Sequence, residues 1–175
     1  STGSEANALA LFGTAFAKER VPKRIISTDS EHPSVENSLK RLENFGFEVV
    51  RSPTRGGLLD FEALEKALES PVLIASIMLV NNETGAVYNV AHAFSMIKEK
   101  YPDAVTHTDA TQGYLKMPFE PRRIGADLAT VSAHKIHGPK GAAALYVSAE
   151  VIKTRRIQPQ IYGGGQESGL RAGTE

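Results

Sequence analysis

The sequence predicts an α/β domain with a largely parallel sheet, and three features carry that expectation. Strand-like and helix-like stretches alternate almost throughout. Residues 72–80 (VLIASIMLV) form a nearly continuous apolar run, the pattern of a parallel strand buried on both faces. Polar clusters follow several apolar stretches, at the carboxyl ends of strands where open α/β sheets bind ligands.

Taken in order, Ala8, Leu9, Leu11, Phe12, Ala15 and Phe16 recur at helical spacing. Thr2 followed three residues later by Glu5 is a capping-box pattern, so this helix starts near Gly3. Arg24–Thr28 reads as a short strand. A helix opening around Pro33 carries Val35, Leu39 and Leu42 on one face and stops at Gly46. Residues 47–50 are the next strand, and Asp60 caps a helix bearing Leu64, Ala67 and Leu68. After the 72–80 strand come a helix through Ala93, Phe94 and Ile97 and a strand over 105–108. Strands at Leu128–Ser132 and 142–147 complete the set. There is no internal repeat, low-complexity tract or interior linker, so residues 1–175 read as one domain.

Composition narrows the function. The 175 residues are 41% hydrophobic and 23% charged, ordinary values for a soluble globular chain. Twenty basic residues balance twenty acidic ones, so no net field draws nucleic acid or anionic lipid. No apolar run reaches the roughly 20 residues of a membrane-spanning helix, and no signal peptide opens the chain. Cysteine is absent, which excludes disulfides and thiolate metal sites and fits a cytoplasmic location. Ser1 in place of a start methionine, and a last stretch 169–175 rich in glycine, read as a piece of a longer protein.

Four polar clusters lie at predicted strand ends: residues 29–32, 81–83, 107–112 and 132–135. Thr2, Gly3, Ser4 and Glu5 put a glycine and two hydroxyls at a helix N-terminus, where free N–H groups and the helix dipole favour an anion such as phosphate. An ordinary capped helix would look the same. The strongest local signal is the stretch 132–141 (SAHKIHGPKG). Lys135 directly after a buried strand, with a Gly-Pro turn behind it, is expected to be shielded from water, and desolvation frees a lysine amine to attack a carbonyl.

Asp109 at a strand end suits a protonated ring nitrogen, with Gln112 one helical turn on; a helix N-cap is its plainer role. His32 can stack on a flat ring or serve the fold. The stretch 81–85 (NNETG) reads as a polar turn from which Asn82 reaches a ligand. His107, Asp109, His134 and His137 could be taken for metal ligands. Gly138-Pro139 prevents the helix that would align the last two, however, and Lys135 would set a cation among them, so no metal site is expected.

The stretches 81–85, 107–112, 132–141 and 163–174 occur in the order found in cysteine desulfurases, and across the whole chain the sequence resembles that family. These are class V aminotransferase-like enzymes dependent on pyridoxal 5'-phosphate (PLP). The Gly-Pro-Lys-Gly form is similar to the nitrogen-fixation and iron–sulfur-assembly branch. The resemblance implies a three-layer, aspartate aminotransferase-like (fold type I) large domain. The N-terminal segment and the C-terminal small domain of the family fall outside residues 1–175.

It further implies that Lys135 carries the cofactor and moves protons at the substrate's alpha carbon, and that Asp109 pairs with the pyridine nitrogen. Gln112 would donate to the phenolic oxygen, His32 would stack on the ring, and Asn82 would contact cofactor and substrate. Gly3, Ser4, Ser132 and His134 would form the phosphate cup. Thr174 would reach the phosphate of a neighbouring subunit, which implies a homodimer. Conversion of L-cysteine to L-alanine, with sulfur passed to an acceptor protein, is the implied activity. Two departures are mild: Ala133 stands where the family has glycine, and Ser4 where threonine is usual. The family's sulfur-accepting cysteine and substrate-carboxylate arginine would lie beyond Glu175. Selenocysteine lyase or another class V lyase or aminotransferase shares this core, and a non-catalytic scaffold retaining the fold is the alternative outside enzymes.

Overall fold

A computed structural model describes residues 1–174. Helix α1 (Gly3–Ala15) is followed by strand β1 (Arg24–Thr28), helix α2 (Pro33–Glu43) and strand β2 (Glu48–Ser52). A small antiparallel hairpin, β3 (Thr54–Arg55) and β4 (Leu58–Leu59), leads into α3 (Phe61–Ala67). The remainder is β5 (Ile74–Ser76), α4 (Val90–Lys100), β6 (Val105–Asp109), β7 (Leu128–Ser132), β8 (Ala143–Val147) and α5 (Ala149–Lys153).

The main sheet runs β2-β1-β5-β6-β7-β8. Every pairing in it is parallel except β7 with β8. Residues 133–142 between those two are too few for the crossover helix a parallel pair needs, so the chain doubles back. The sheet alternates its side chains between two cores. Ile25 and Ile74 face α1 and α2, among Leu11, Val35, Leu39 and Leu42. Ile26 and Ala75 face α3 and α4, among Leu64, Phe94 and Ile97. This gives three layers, as expected. Val35, Leu39 and Leu42 are fully buried at helical spacing, and each adds about 1.5–3 kcal/mol of apolar burial.

Two expectations are corrected. The apolar run is buried from Val72 to Leu79, but its ladder covers only Ile74–Ser76. β1 pairs with it only at Ile74 and Ala75, so beyond that point its strand-to-strand pairing within the main sheet continues with β6 alone. Ile77 and Leu79 donate to the carbonyls of His107 and Asp109, both at 3.0 Å, before Val80 pairs with Val87. The capping box of α1 is half formed. Thr2 Oγ1 accepts the Glu5 N–H at 3.1 Å. The Glu5 carboxylate does not reach back to Thr2; it accepts from Arg171 Nε at 2.9 Å and from Ser1. Those bonds, the Arg171 one foremost, hold its pKa down at about 2. The pair ties the chain's last stretch to the start of α1.

Candidate active site

The N-terminus of α1 and the strand-end loops meet around one cavity of about 320 Å³. Gly3, Ser4, His32, Asn82, Asp109, Gln112, Ser132, His134 and Lys135 all line it. Thr174 is exposed and does not. Thr2 of the same helix start lines it too, and Asn7, Ser34, Met78, Val80, Thr111 and Gly141, which no sequence pattern marks as ligand contacts, complete the lining.

At one end sits the start of α1. Glu5 N–H is capped by Thr2 Oγ1 and Ala6 N–H bonds to Thr2 O, which leaves the N–H groups of Gly3 and Ser4 without partners inside the helix. A methyl group on Gly3 would stand 3.3 Å from Ser132 Cβ, so the glycine keeps space open between the helix and the end of β7. Ser132 Oγ lies 2.9 Å from His134 Nδ1. Free N–H groups, a helix dipole, two hydroxyls and an imidazole are a donor set for a phosphate.

Asp109 closes β6 and is buried, 6% exposed. Its Oδ1 accepts the Thr111 N–H at 3.0 Å and its Oδ2 accepts from Asn7 Nδ2 at 2.8 Å. It therefore caps a turn rather than the N-terminus of a helix, and it lines the cavity as well. The helix expected after it does not form. Residues 111–116 run as successive turns, with Leu115 in the left-handed region at φ 58°. Gln112 still reaches the site. Its Oε1 accepts from Lys116 Nζ at 3.1 Å, which leaves the amide NH₂ as donor.

The other loops divide their labour. Asn81 builds its turn: Oδ1 accepts from the N–H groups of Glu83 and Thr84 at 3.0 and 2.8 Å, and Asn82 lines the cavity. His32 caps α2, its Nδ1 accepting the Ser34 N–H at 3.1 Å, and also borders the cavity. His107 belongs to the fold. It is fully buried, its nitrogens 2.8 Å from Ser76 Oγ and 3.1 Å from Thr130 Oγ1, and burial pushes its pKa down to about 4.

Lys135 corrects an expectation. It lines the cavity but is exposed, not shielded. A 3-10 turn over Ala133–Ile136 ends in left-handed His137 at φ 63°, and Gly138 packs against Ala133. This tight reversal swings the lysine off the strand end to the cavity's open side.

The chain belongs to the aminotransferase class-V family, whose pattern it matches over residues 1–174. Among curated relatives it is 40% identical to the cysteine desulfurase IscS of Escherichia coli O139:H28 (strain E24377A / ETEC), over 99% of this chain and 42% of that protein. Among solved structures, a NifS-like protein superposes with a TM-score of 0.94 at 37% identity, over 100% of this chain and 47% of that one. SspA in complex with cysteine gives 0.89 at 36%, covering 99% and 49%. The chain thus spans less than half the length of these relatives.

Proposed function

We propose that this chain is the PLP-binding core of a cysteine desulfurase that converts L-cysteine to L-alanine and passes the sulfur to an acceptor. The observation that carries this reading is the convergence of a helix start with free N–H groups, a buried carboxylate and a lysine on one cavity. The donors fit the cofactor. Gly3, Ser4, Ser132 and His134 hold the phosphate; the buried Asp109 carboxylate keeps a proton on the ring nitrogen. Gln112 donates to the phenolic oxygen, His32 packs on the ring face, and Asn82 contacts cofactor and substrate. PLP, when bound, supplies an electron sink for the pair released at the alpha carbon. Lys135 carries the cofactor and moves the alpha-carbon proton, and its open-sided position leaves room for an amino-acid substrate.

Thr174, exposed and away from its own cavity, serves the phosphate of a second subunit in a homodimer. Among the described residues no helix is long and apolar enough to cross a membrane. With a cysteine-free sequence, we place the protein in the cytoplasm.

Adding PLP to the purified chain is expected to give a visible absorbance band that Lys135→Ala erases. Borohydride reduction followed by peptide mapping should find the label on Lys135. A label on Lys140 or Lys116 would overturn the site assignment, and no uptake at all would overturn the cofactor.

A further inference from the structure

Asn7 is a polar residue on the buried face of an apolar helix. It is 1% exposed, and Ala6, Ala10 and Leu11 are buried beside it. An amide there costs stability unless its hydrogens are used. Both are: Nδ2 lies 2.8 Å from Asp109 Oδ2 and 2.9 Å from Ser34 Oγ. An ionised carboxylate only accepts, so the nitrogen and not the oxygen of Asn7 faces Asp109. Its Oδ1 is buried without a partner, which means the amide holds this place for its two donors alone.

Ser34 continues the chain. Its Oγ accepts from Asn7, so its single hydrogen is free for His32 Nδ1, 2.8 Å away. That same Nδ1 accepts the Ser34 backbone N–H at 3.1 Å. A nitrogen accepting both hydrogens bears none of its own, so the neutral His32 ring carries its proton on Nε2. Donation runs outward from Asn7 in two directions, to Asp109 from one hydrogen and through Ser34 to His32 from the other.

We propose that Asn7 and Ser34 are positioning residues of this site, a buried bridge that fixes the Asp109 carboxylate and locks His32 in the Nε2–H tautomer. The proposal rests on the cofactor reading for what Asp109 and His32 do, but the bridge itself is a property of the chain alone. Asp109 is held at both oxygens, by Thr111 N–H and by Asn7, which sets the plane of the carboxylate. His32 sits on a different loop, at the start of α2, and without Ser34 its ring is held only by the backbone cap. The bridge makes two loops and a helix present one arrangement to a flat ligand.

The test is nitrogen NMR of the His32 ring in the full chain, without added cofactor and again with PLP. Wild type is expected to show Nδ1 as an unprotonated acceptor and Nε2 as the only N–H. Ser34→Ala should let the second tautomer appear, with both nitrogen shifts moving toward each other, and Ser34→Thr should restore the wild-type pattern. Asn7→Ala leaves Ser34 its own hydrogen for His32 but removes the donor that orients the hydroxyl, so it should give a smaller shift at His32 in the same direction. It should also weaken PLP uptake about tenfold or more through the hydrogen bond lost from Asp109. His32 shifts that stay in place in Ser34→Ala, or a wild-type ring protonated at Nδ1, would overturn the bridge. The tautomer measurement needs no cofactor, so it decides the bridge even where PLP fails to bind, and that failure would overturn the proposed function instead.

Discussion

Glu31 places a carboxyl where charge is costly. Its Oε1 accepts from Thr28 Oγ1 at 2.7 Å and from Met78 N–H at 2.9 Å, while Oε2 is buried without a partner. Part of the residue reaches solvent, but the carboxyl is enclosed. Burial is the main cause that raises its pKa from 4.5 to about 8; the nearby Asp109 and Glu36 charges add to it, and the two hydrogen bonds oppose it. The unfolded chain releases this proton near 4.5 and the folded one holds it to about 8, so stability falls as pH rises between those values. At about 1.4 kcal/mol for each pH unit the loss is on the order of 5 kcal/mol. His107 works in the opposite sense. Its pKa is lowered from 6.5 to about 4, so it adds stability as pH rises through that interval and nothing beyond. The Glu31 effect therefore stands clear of His107 between pH 6.5 and 8. Glu31→Gln keeps the acceptor at Oε1 and removes the charge. Its melting temperature should stay level over that window while the wild type falls, and parallel curves would show that Glu31 is ionised in the fold. Glu31 was hidden in the sequence because its neighbour His32 carried the recognisable pattern. Asn7 and Ser34 were hidden for a related reason: an asparagine in an apolar helix and a serine after proline have no signature until the fold brings them 2.9 Å apart.

The elements were legible where periodicity was strong and less so where tertiary pairing sets the ends. Thr2, Asp60 and the Val35, Leu39 and Leu42 face gave α1, α3 and α2 directly. The β3–β4 hairpin and α5 are too short for any period to show, and the β5 ladder is limited by its neighbours and not by its own residues. The turns after Asp109 were missed because Leu115 adopts a backbone conformation that its side chain disfavours. It is 71% exposed at φ 58°, so no packing compensates for the strain. A left-handed L-residue costs about 1–2 kcal/mol, against about 0.5–1 for the freedom a glycine loses on folding. Leu115→Gly should therefore stabilise the chain by about 0.5–1 kcal/mol and raise the melting temperature by about 2 °C, read by thermal unfolding. An unchanged or lower midpoint would mean that the leucine is held by contacts worth more than its strain.

For the whole molecule, the order of the sheet gathers the chemistry. Loops leaving β1, β6 and β7, and the turn after the β5 run, open on the cavity that the start of α1 completes, so residues up to 139 positions apart in sequence, from Thr2 to Gly141, line one space. That convergence was readable from polar clusters at strand ends; the exposure of Lys135 was not, since it depends on a reversal made by Gly138 and left-handed His137. The same gathering sets a limit on what these 175 residues can do by themselves. The proposed reaction needs a protein thiolate to attack the substrate's sulfur and hold it, and this sequence contains no cysteine. Serine and threonine hydroxyls do not substitute, because an alkoxide is far scarcer near neutral pH than a thiolate. The cavity is also open beside Lys135, which leaves water free to compete at the reacting centre. The chain on its own is therefore expected to take up PLP at Lys135 yet release sulfide and alanine from L-cysteine no faster than free PLP at equal concentration. Adding a small thiol in excess should raise sulfide release, since one thiolate takes the substrate's sulfur as a persulfide and a second cleaves that persulfide, giving a disulfide and sulfide. A rate well above free PLP without any added thiol would mean that the sulfur leaves by a route independent of a cysteine in the chain.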